Sequence, residues 1–190
     1  MPRTTSDQIL SAARNLFVKY GLRRTSLDDI AVAAGIGRAT LFRRYQNRDA
    51  LVAALVDKEL AAALAKIDTA INKAIGPEDQ FIAGFLSFMN MVRTNELLHE
   101  LLQSDAETVL PLLTTAGHDV IAIARLFAQN RLEIIRDSGA PLTADPEYLA
   151  EILARIGHSL AMTPQTVLPI HDEQAMAAFA RTSLIPLVFK

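Results

Sequence analysis

The sequence predicts an all-α fold, and three observations carry that prediction. Alternation of apolar and polar residues with period two, the mark of a half-buried strand, is absent along the chain. Apolar residues recur instead at spacings of three and four, the repeat of one helix face. The turn formers Gly21, Gly35, Gly76-Pro77 and Gly139 with Pro141 stand between these stripes, where helices stop.

Taken in order, Ile9, Ala12, Ala13, Leu16, Phe17 and Tyr20 form the stripe of a first helix that Gly21 closes. Ser26 opens a short helix as its N-cap, with Asp29 at the capping-box position. Leu27, Ile30, Ala31 and Ala34 face inward on it, and Gly35 ends it where the backbone needs positive φ. A second short helix runs from about Gly37 to Tyr45. Asn47 opens a long helix from about Arg48 to Ala74, closed by Gly76-Pro77. Helices follow over roughly residues 78–93, 95–104, 107–137, 146–162 and 172–185, with Pro111 breaking or restarting its segment. Asp137-Ser138-Gly139 with Pro141 is a turn, residues 163–169 a loop, and Pro186 ends the last helix. About nine helices result, as a small three-helix head over residues 1–47 and a larger helical body over residues 48–190 joined by the long helix.

Composition narrows the function classes. The 190 residues, 51% hydrophobic, suffice for one domain or two small ones. Cysteine is absent, which excludes disulfides, thiolate metal sites and cysteine nucleophiles and fits a reducing cytoplasm. No apolar run reaches the length of a membrane span, and residues 1–8 lack the apolar core of a signal peptide, so a cytoplasmic location without membrane contact is expected. The net charge of −2 conceals an asymmetry. Residues 1–48 carry nine Lys/Arg and three acids, a net of +6, whereas the remainder carries 10 basic and 18 acidic residues, a net of −8. A basic head on an acidic body suits a chain that presents one end to phosphate, although a solvated charge cluster gives the same count.

The stretch from Ser26 to Tyr45 resolves the choice in favour of DNA. Two short helices joined by a tight turn form a helix-turn-helix. Ala31 and Ala34 are small enough for close approach of the second helix, Ile36 plugs the space between the helices, and Leu41 and Tyr45 face inward. Arg38, Thr40, Arg43 and Arg44 then fall on the outward side, a face suited to phosphates and base edges.

The segment from Thr25 to Leu51 resembles the DNA-binding domain of the TetR (tetracycline-repressor) family. The matching pieces are Thr25, Asp29-Ile30-Ala31, Ala33-Ala34-Gly35-Ile36, Thr40-Leu41-Phe42 and Arg48-Asp49-Ala50-Leu51, extended upstream by Ala12, Leu16, Phe17 and Tyr20-Gly21. The resemblance covers about residues 7–60; the body matches only in helix number and length. It implies a phosphate contact at Ser26, base or backbone contacts at Arg38 and Thr40, and a phosphate contact at Arg48. Two departures stand out. Gly37 replaces the family's usual serine and offers only its backbone N–H, and Phe42 replaces the usual tyrosine and lacks its hydroxyl. Tyr45 in turn stands where the family has phenylalanine. Ser26, Gly37, Arg38, Thr40, Phe42, Arg43, Arg44, Tyr45 and Arg48 are therefore the expected DNA-binding set, with the arginines, above all Arg43 and Arg44, carrying more of the phosphate contact than in relatives.

A single head reads few base pairs, so a homodimer on a palindromic double-stranded operator is expected. The last two long helices supply the candidate interface. Leu149, Ile152, Leu153, Ile156 and Leu160 form one stripe, with Gly157 beside it, and Met176, Phe179, Ser183 and Leu187 form another. The alternative reading of these stripes is ordinary intramolecular core. The resemblance further implies a ligand pocket in the body. Phe81, Phe85, Phe88, Met89, Met91 and Phe127 favour an apolar cavity, and Asn90, His99, His118 and His158 are polar groups able to orient a ligand, or simply core and surface residues. The expected ligand set is Phe85, Phe88, Met89, His118, Phe127 and His158, and the expected function is a repressor released by a small, largely apolar effector.

The alternatives are a regulator controlled by a protein partner, or an enzyme or metal site in the body. His158-Ser159 point about a third of a turn apart, wrong for a nucleophile and its base. Glu96, His99 and Glu100 share a helix face but need another ligand from elsewhere to hold a metal. With no Gly-rich phosphate loop and no GxSxG, neither catalysis nor a cofactor is expected.

Overall fold

The computed structural model describes residues 5–115, 118–163 and 165–190, the side chains of residues 108, 112, 118 and 119 excepted. The fold is all-α: among the described residues there are helices, turns and an antiparallel bridge between Leu142 and Phe189, but no strand. Two compact units form, Met1–Leu60 with Asn95–Gly117, and Ala61–Thr94 with His118–Lys190. The boundary read from sequence lies at residue 47. The compact units are cut later, within the long helix, and the first also takes in two helices from the middle of the chain.

The first unit contains α1 (Thr5–Tyr20), α2 (Leu27–Ala33), α3 (Arg38–Arg44), the start of α4 (Arg48–Lys73), α6 (Glu96–Ser104) and α7 (Ala106–Leu113). Its buried apolar residues are Ile9, Ala13 and Phe17 of α1 with Ile30, Leu41, Leu51 and Leu55, and Leu97, Leu101 and Val109 of α6 and α7. The helix limits follow local chemistry. Ser26 and Asp29 form the reciprocal capping box at α2. Gly35, at φ +67, ends α2, while its N–H donates to the Val32 carbonyl and that of Ile36 donates to the Ala31 carbonyl, each at 3.0 Å. Asn47 Oδ1 accepts from the Ala50 N–H at 2.8 Å and starts α4. The break expected at Pro111 falls later. Pro111 lies inside α7, which ends at Leu113, because a proline near the end of so short a helix removes little of its hydrogen bonding.

The second unit contains the rest of α4, α5 (Pro77–Thr94), α8 (His118–Asp137), α9 (Pro146–Met162), α10 (Glu173–Phe179), a π-helical turn (Ala180–Leu184) and α11 (Ile185–Val188). Leu132 and Ile135 of α8, Leu149 and Ala150 of α9, and Leu142, Val188 and Phe189 make one apolar cluster, with Phe81 edge-on to Phe189. Pro186 does not end the last helix. The π turn widens the ladder ahead of it, with the Ile185 N–H donating to the Ala180 carbonyl five residues back, so the missing proline donor and the ring are accommodated. Asp172 Oδ1 caps α10 by accepting from the Ala175 N–H at 3.0 Å.

Candidate nucleic-acid interface

The turn between α2 and α3 leaves a seven-residue helix with one fully buried side chain, Leu41, holding it to the first unit's core. Gly37 is its N-cap in extended backbone, at φ −72 and ψ 147, and no side chain caps α3. Ala39, Arg38, Arg43 and Arg44 are exposed, and Thr40, Phe42 and Tyr45 are half-buried. The outer face of α3 is therefore cationic, as the pattern predicts.

The individual partners refine the expected set. Arg38 Nη1 donates to Asp28 Oδ2 at 3.0 Å, and its guanidinium lies over the Phe42 ring, 5.2 Å from the centroid. Arg44 Nε donates to the Ser6 hydroxyl. The Ser26 hydroxyl donates to Asp29 Oδ2 at 2.6 Å and accepts from the Asp29 N–H at 3.1 Å, so a phosphate at Ser26 competes with Asp29 for its proton. The same hydroxyl, aided by the Ser26 backbone N–H, holds the Asp29 carboxyl below the usual carboxylate range. Arg48 is half-buried, and its Nη2 has no hydrogen-bond partner among the described residues.

Sequence reasoning missed the group that holds the loop leading into α2. Asp105, between α6 and α7, is 1% exposed. Its Oδ2 accepts from the Leu22 N–H at 2.8 Å, the Arg23 N–H at 3.3 Å and the Ser104 hydroxyl at 3.0 Å. Its Oδ1 lies 3.1 Å from Arg23 Nε, close enough for an ion pair but not aligned as a hydrogen bond. Arg23 also reaches Glu107 at 2.9 Å. Gly21, at φ +80, lets the loop turn against Ser104, Glu100 and Asp105. Thr25, itself buried, donates to the Gly21 carbonyl at 2.9 Å and closes the loop. A lone acid between apolar helices carries no motif; only the fold reveals its partners.

The expected ligand residues of the second unit lie as follows. Phe85 packs on Phe179 with centroids 6.3 Å apart, Met89 is buried, and Phe88 lies so close to Gly157 that a Cβ there would meet its ring at 3.3 Å. Phe127 and His158 are half-buried, and the side chain of His118 lies outside the described residues. The expected dimer residues divide by burial. Leu149 and Met176 are each 2% exposed and belong to the chain's own core. Ile152, Ile156 and Leu187 stay exposed, as does Ser183, while Leu160 and Phe179 are half-buried. Further exposed apolar side chains are Tyr148 on α9 and Ile123, Leu126 and Ile134 on α8, with others scattered elsewhere. Among the described residues no cluster of three or more metal-ligating side chains forms, at Glu96, His99 and Glu100 or elsewhere, and no helix is long and apolar enough to cross a membrane.

A helix-turn-helix with a cationic second helix, on an all-α chain, defines a DNA-binding transcriptional regulator. Comparison with known proteins agrees. Residues 9–55 match the family described as bacterial regulatory proteins, tetR family. An HTH-type transcriptional regulator of Mycobacterium bovis, Mb2274c, is 25% identical over 175 residues, 91% of this chain and 88% of the relative. YhgD, an HTH-type transcriptional regulator of Bacillus subtilis, is 22% identical over 89% of this chain and 88% of its own length. Among solved structures, a TetR-family transcriptional regulator from Pectobacterium atrosepticum superposes with a TM-score of 0.74 at 20% identity, over 98% of this chain and 95% of that one. The TetR family repressor AlkX from a Dietzia strain gives 0.73 at 20% identity, over 97% and 95%. Residues 9–55 thus match the tetR family's DNA-binding segment, and most of the chain resembles HTH-type transcriptional regulators in sequence and TetR-family proteins in fold.

Proposed function

We propose that the chain is a homodimeric repressor that grips a two-fold symmetric operator with two α3 helices and leaves it when a small, largely apolar ligand binds the body. The observation that carries this reading is the outer face of α3, where Arg38, Arg43 and Arg44 stand exposed around the buried anchor Leu41. Arginine on the outside of a short helix held only by its inner face is how a major-groove reader meets phosphate and base together. Dimerisation is supported by α9, where Tyr148, Ile152 and Ile156 recur every four residues at 69%, 43% and 37% exposure. With Ile123 and Leu126 of α8, which packs against α9, they form an apolar surface that a two-fold partner buries.

The apolar ligand is supported by the side chains of α5, where Phe85, Phe88 and Met89 gather polarisable, adaptable groups. Two structural neighbours point the same way by what they are: AlkX is implicated in biodegradation of n-alkanes, and FadR of Bacillus halodurans is a fatty acid degradation regulator. A ligand preferring the released state by a few kcal/mol is enough to empty the operator. The test is a reporter gene placed behind DNA that the purified chain selects from a genomic library. Added chain lowers expression, and a panel of alkanes and fatty acids contains a member that restores it. Raised expression sinks the repressor role, and a panel without effect sinks the apolar ligand.

A further inference from the structure

Arg38 is the first residue of α3 and is held from two sides. Asp28, in the first turn of α2, receives Nη1 at 3.0 Å, and the Phe42 ring, one turn further along α3, lies beneath the guanidinium at 5.2 Å. An exposed ion pair holds a long side chain only weakly. The aromatic face adds a second support. Two supports from two helices leave Arg38 with less freedom to lose on binding, while most of its five N–H donors stay available.

The charge balance decides what such an arginine recognises. Attraction to phosphate rests on uncompensated positive charge, and Asp28 compensates that of Arg38 and repels an approaching phosphate. The O6 and N7 edge of guanine asks for a planar fork rather than for net charge. The first residues of a helix-turn-helix's second helix are also the ones brought to base edges. We infer that Arg38 reads a guanine in each half-site, and that Asp28 and Phe42 are the positioning residues that make it a base reader. The phenylalanine at position 42 therefore gives up a hydroxyl for phosphate and gains a stacking platform for Arg38. Arg44 differs, since it donates to the neutral hydroxyl of Ser6. The inference rests on α3 entering the major groove.

The experiment measures binding of the full-length chain to its selected operator and to every single-base variant of one half-site, at several salt concentrations. Wild type prefers guanine at one position by about tenfold to hundredfold. Arg38→Lys, which keeps the charge and loses the fork, and Arg38→Ala both erase that preference at that position alone. Asp28→Asn and Phe42→Ala weaken the preference, and Asp28→Asn also tightens binding to unrelated DNA and steepens the salt slope by about 1. Asp28 and Arg38 are both exposed, so their variants keep the fold, as matching circular dichroism checks. The inference is overturned if Arg38→Lys reads every position like wild type while Arg38→Ala weakens all sequences alike and flattens the salt slope by about 1, the pattern of a phosphate contact. A wild-type chain that enriches no sequence overturns the DNA-reading account itself, and this inference with it.

Discussion

Replacing Asp105 with alanine tests whether a buried carboxylate holds the loop that leads into α2. The Leu22 N–H, 2.8 Å from Oδ2, belongs to a residue that is 2% exposed, so its loss leaves a buried donor unpaired, at about 1–3 kcal/mol. The Arg23 N–H and the Ser104 hydroxyl belong to exposed residues and recover water, adding about 0.5 kcal/mol together. The Arg23 guanidinium is 63% exposed, so solvent screening leaves its pairing at about 0.5 kcal/mol or less. The expected loss is about 2–4 kcal/mol, or roughly 5–15 °C in melting temperature for a chain of this size. Asp105→Asn keeps an acceptor oxygen for Leu22 and loses about half as much. Urea denaturation followed by circular dichroism measures the total, and amide exchange at Leu22 locates it. An alanine variant within 0.5 kcal/mol of wild type, with unchanged exchange at Leu22, refutes the role given to Asp105.

Further predictions follow from the same geometry. Gly37→Ser fits without strain, because φ is −72 and a Cβ there meets nothing within 4 Å; it stabilises α3 by a few tenths of a kcal/mol and tightens operator binding severalfold, read by titration. Arg44→Ala weakens binding to every operator variant about equally and flattens the salt slope by about 1, whereas relaxed preference at one base pair makes it a base reader. Ile152→Glu gives a monomer in size-exclusion chromatography with light scattering, while Leu149→Ala keeps the dimer and loses about 2–4 kcal/mol of stability. The Asp29 carboxyl is depressed by its bonds from Ser26, so the capping box contributes fully above about pH 4 and is lost as pH falls through the lower folded value. The stability difference between wild type and Asp29→Asn is therefore constant from neutral pH down to that range and vanishes below it.

The head was legible because its signals are local. The Ser26–Asp29 box, the Gly35 terminus, the buried Leu41 and the Asn47 cap each lie within a few residues of the group they serve. Asp105 was illegible for the opposite reason: its partner Leu22 is 83 positions away, and a single acid has no pattern. Which residues of the α9 stripe point inward was not legible because the stripe is wide. Leu149 and Ile152 both belong to it, and only packing against α8 and the C-terminal residues shows that Leu149 turns inward and Ile152 outward. Pro186 misled because a proline stops a regular α-helix, whereas a π turn ahead of it lets the chain continue. The Asp28–Arg38 pair sits between these extremes. Both residues are visible in the motif, but their contact depends on how α2 and α3 cross.

The central claim is that residues 26–45 read DNA through the arginine face of α3. Enrichment of duplexes from a random pool by the purified chain, compared with a variant in which Arg38, Arg43 and Arg44 are all alanine, tests it most directly. The account predicts that wild type enriches an inverted repeat with half-sites about 34–36 Å apart, and that the triple variant, folded to the same helical content, enriches nothing. Enrichment of the same sequence by both proteins would contradict it.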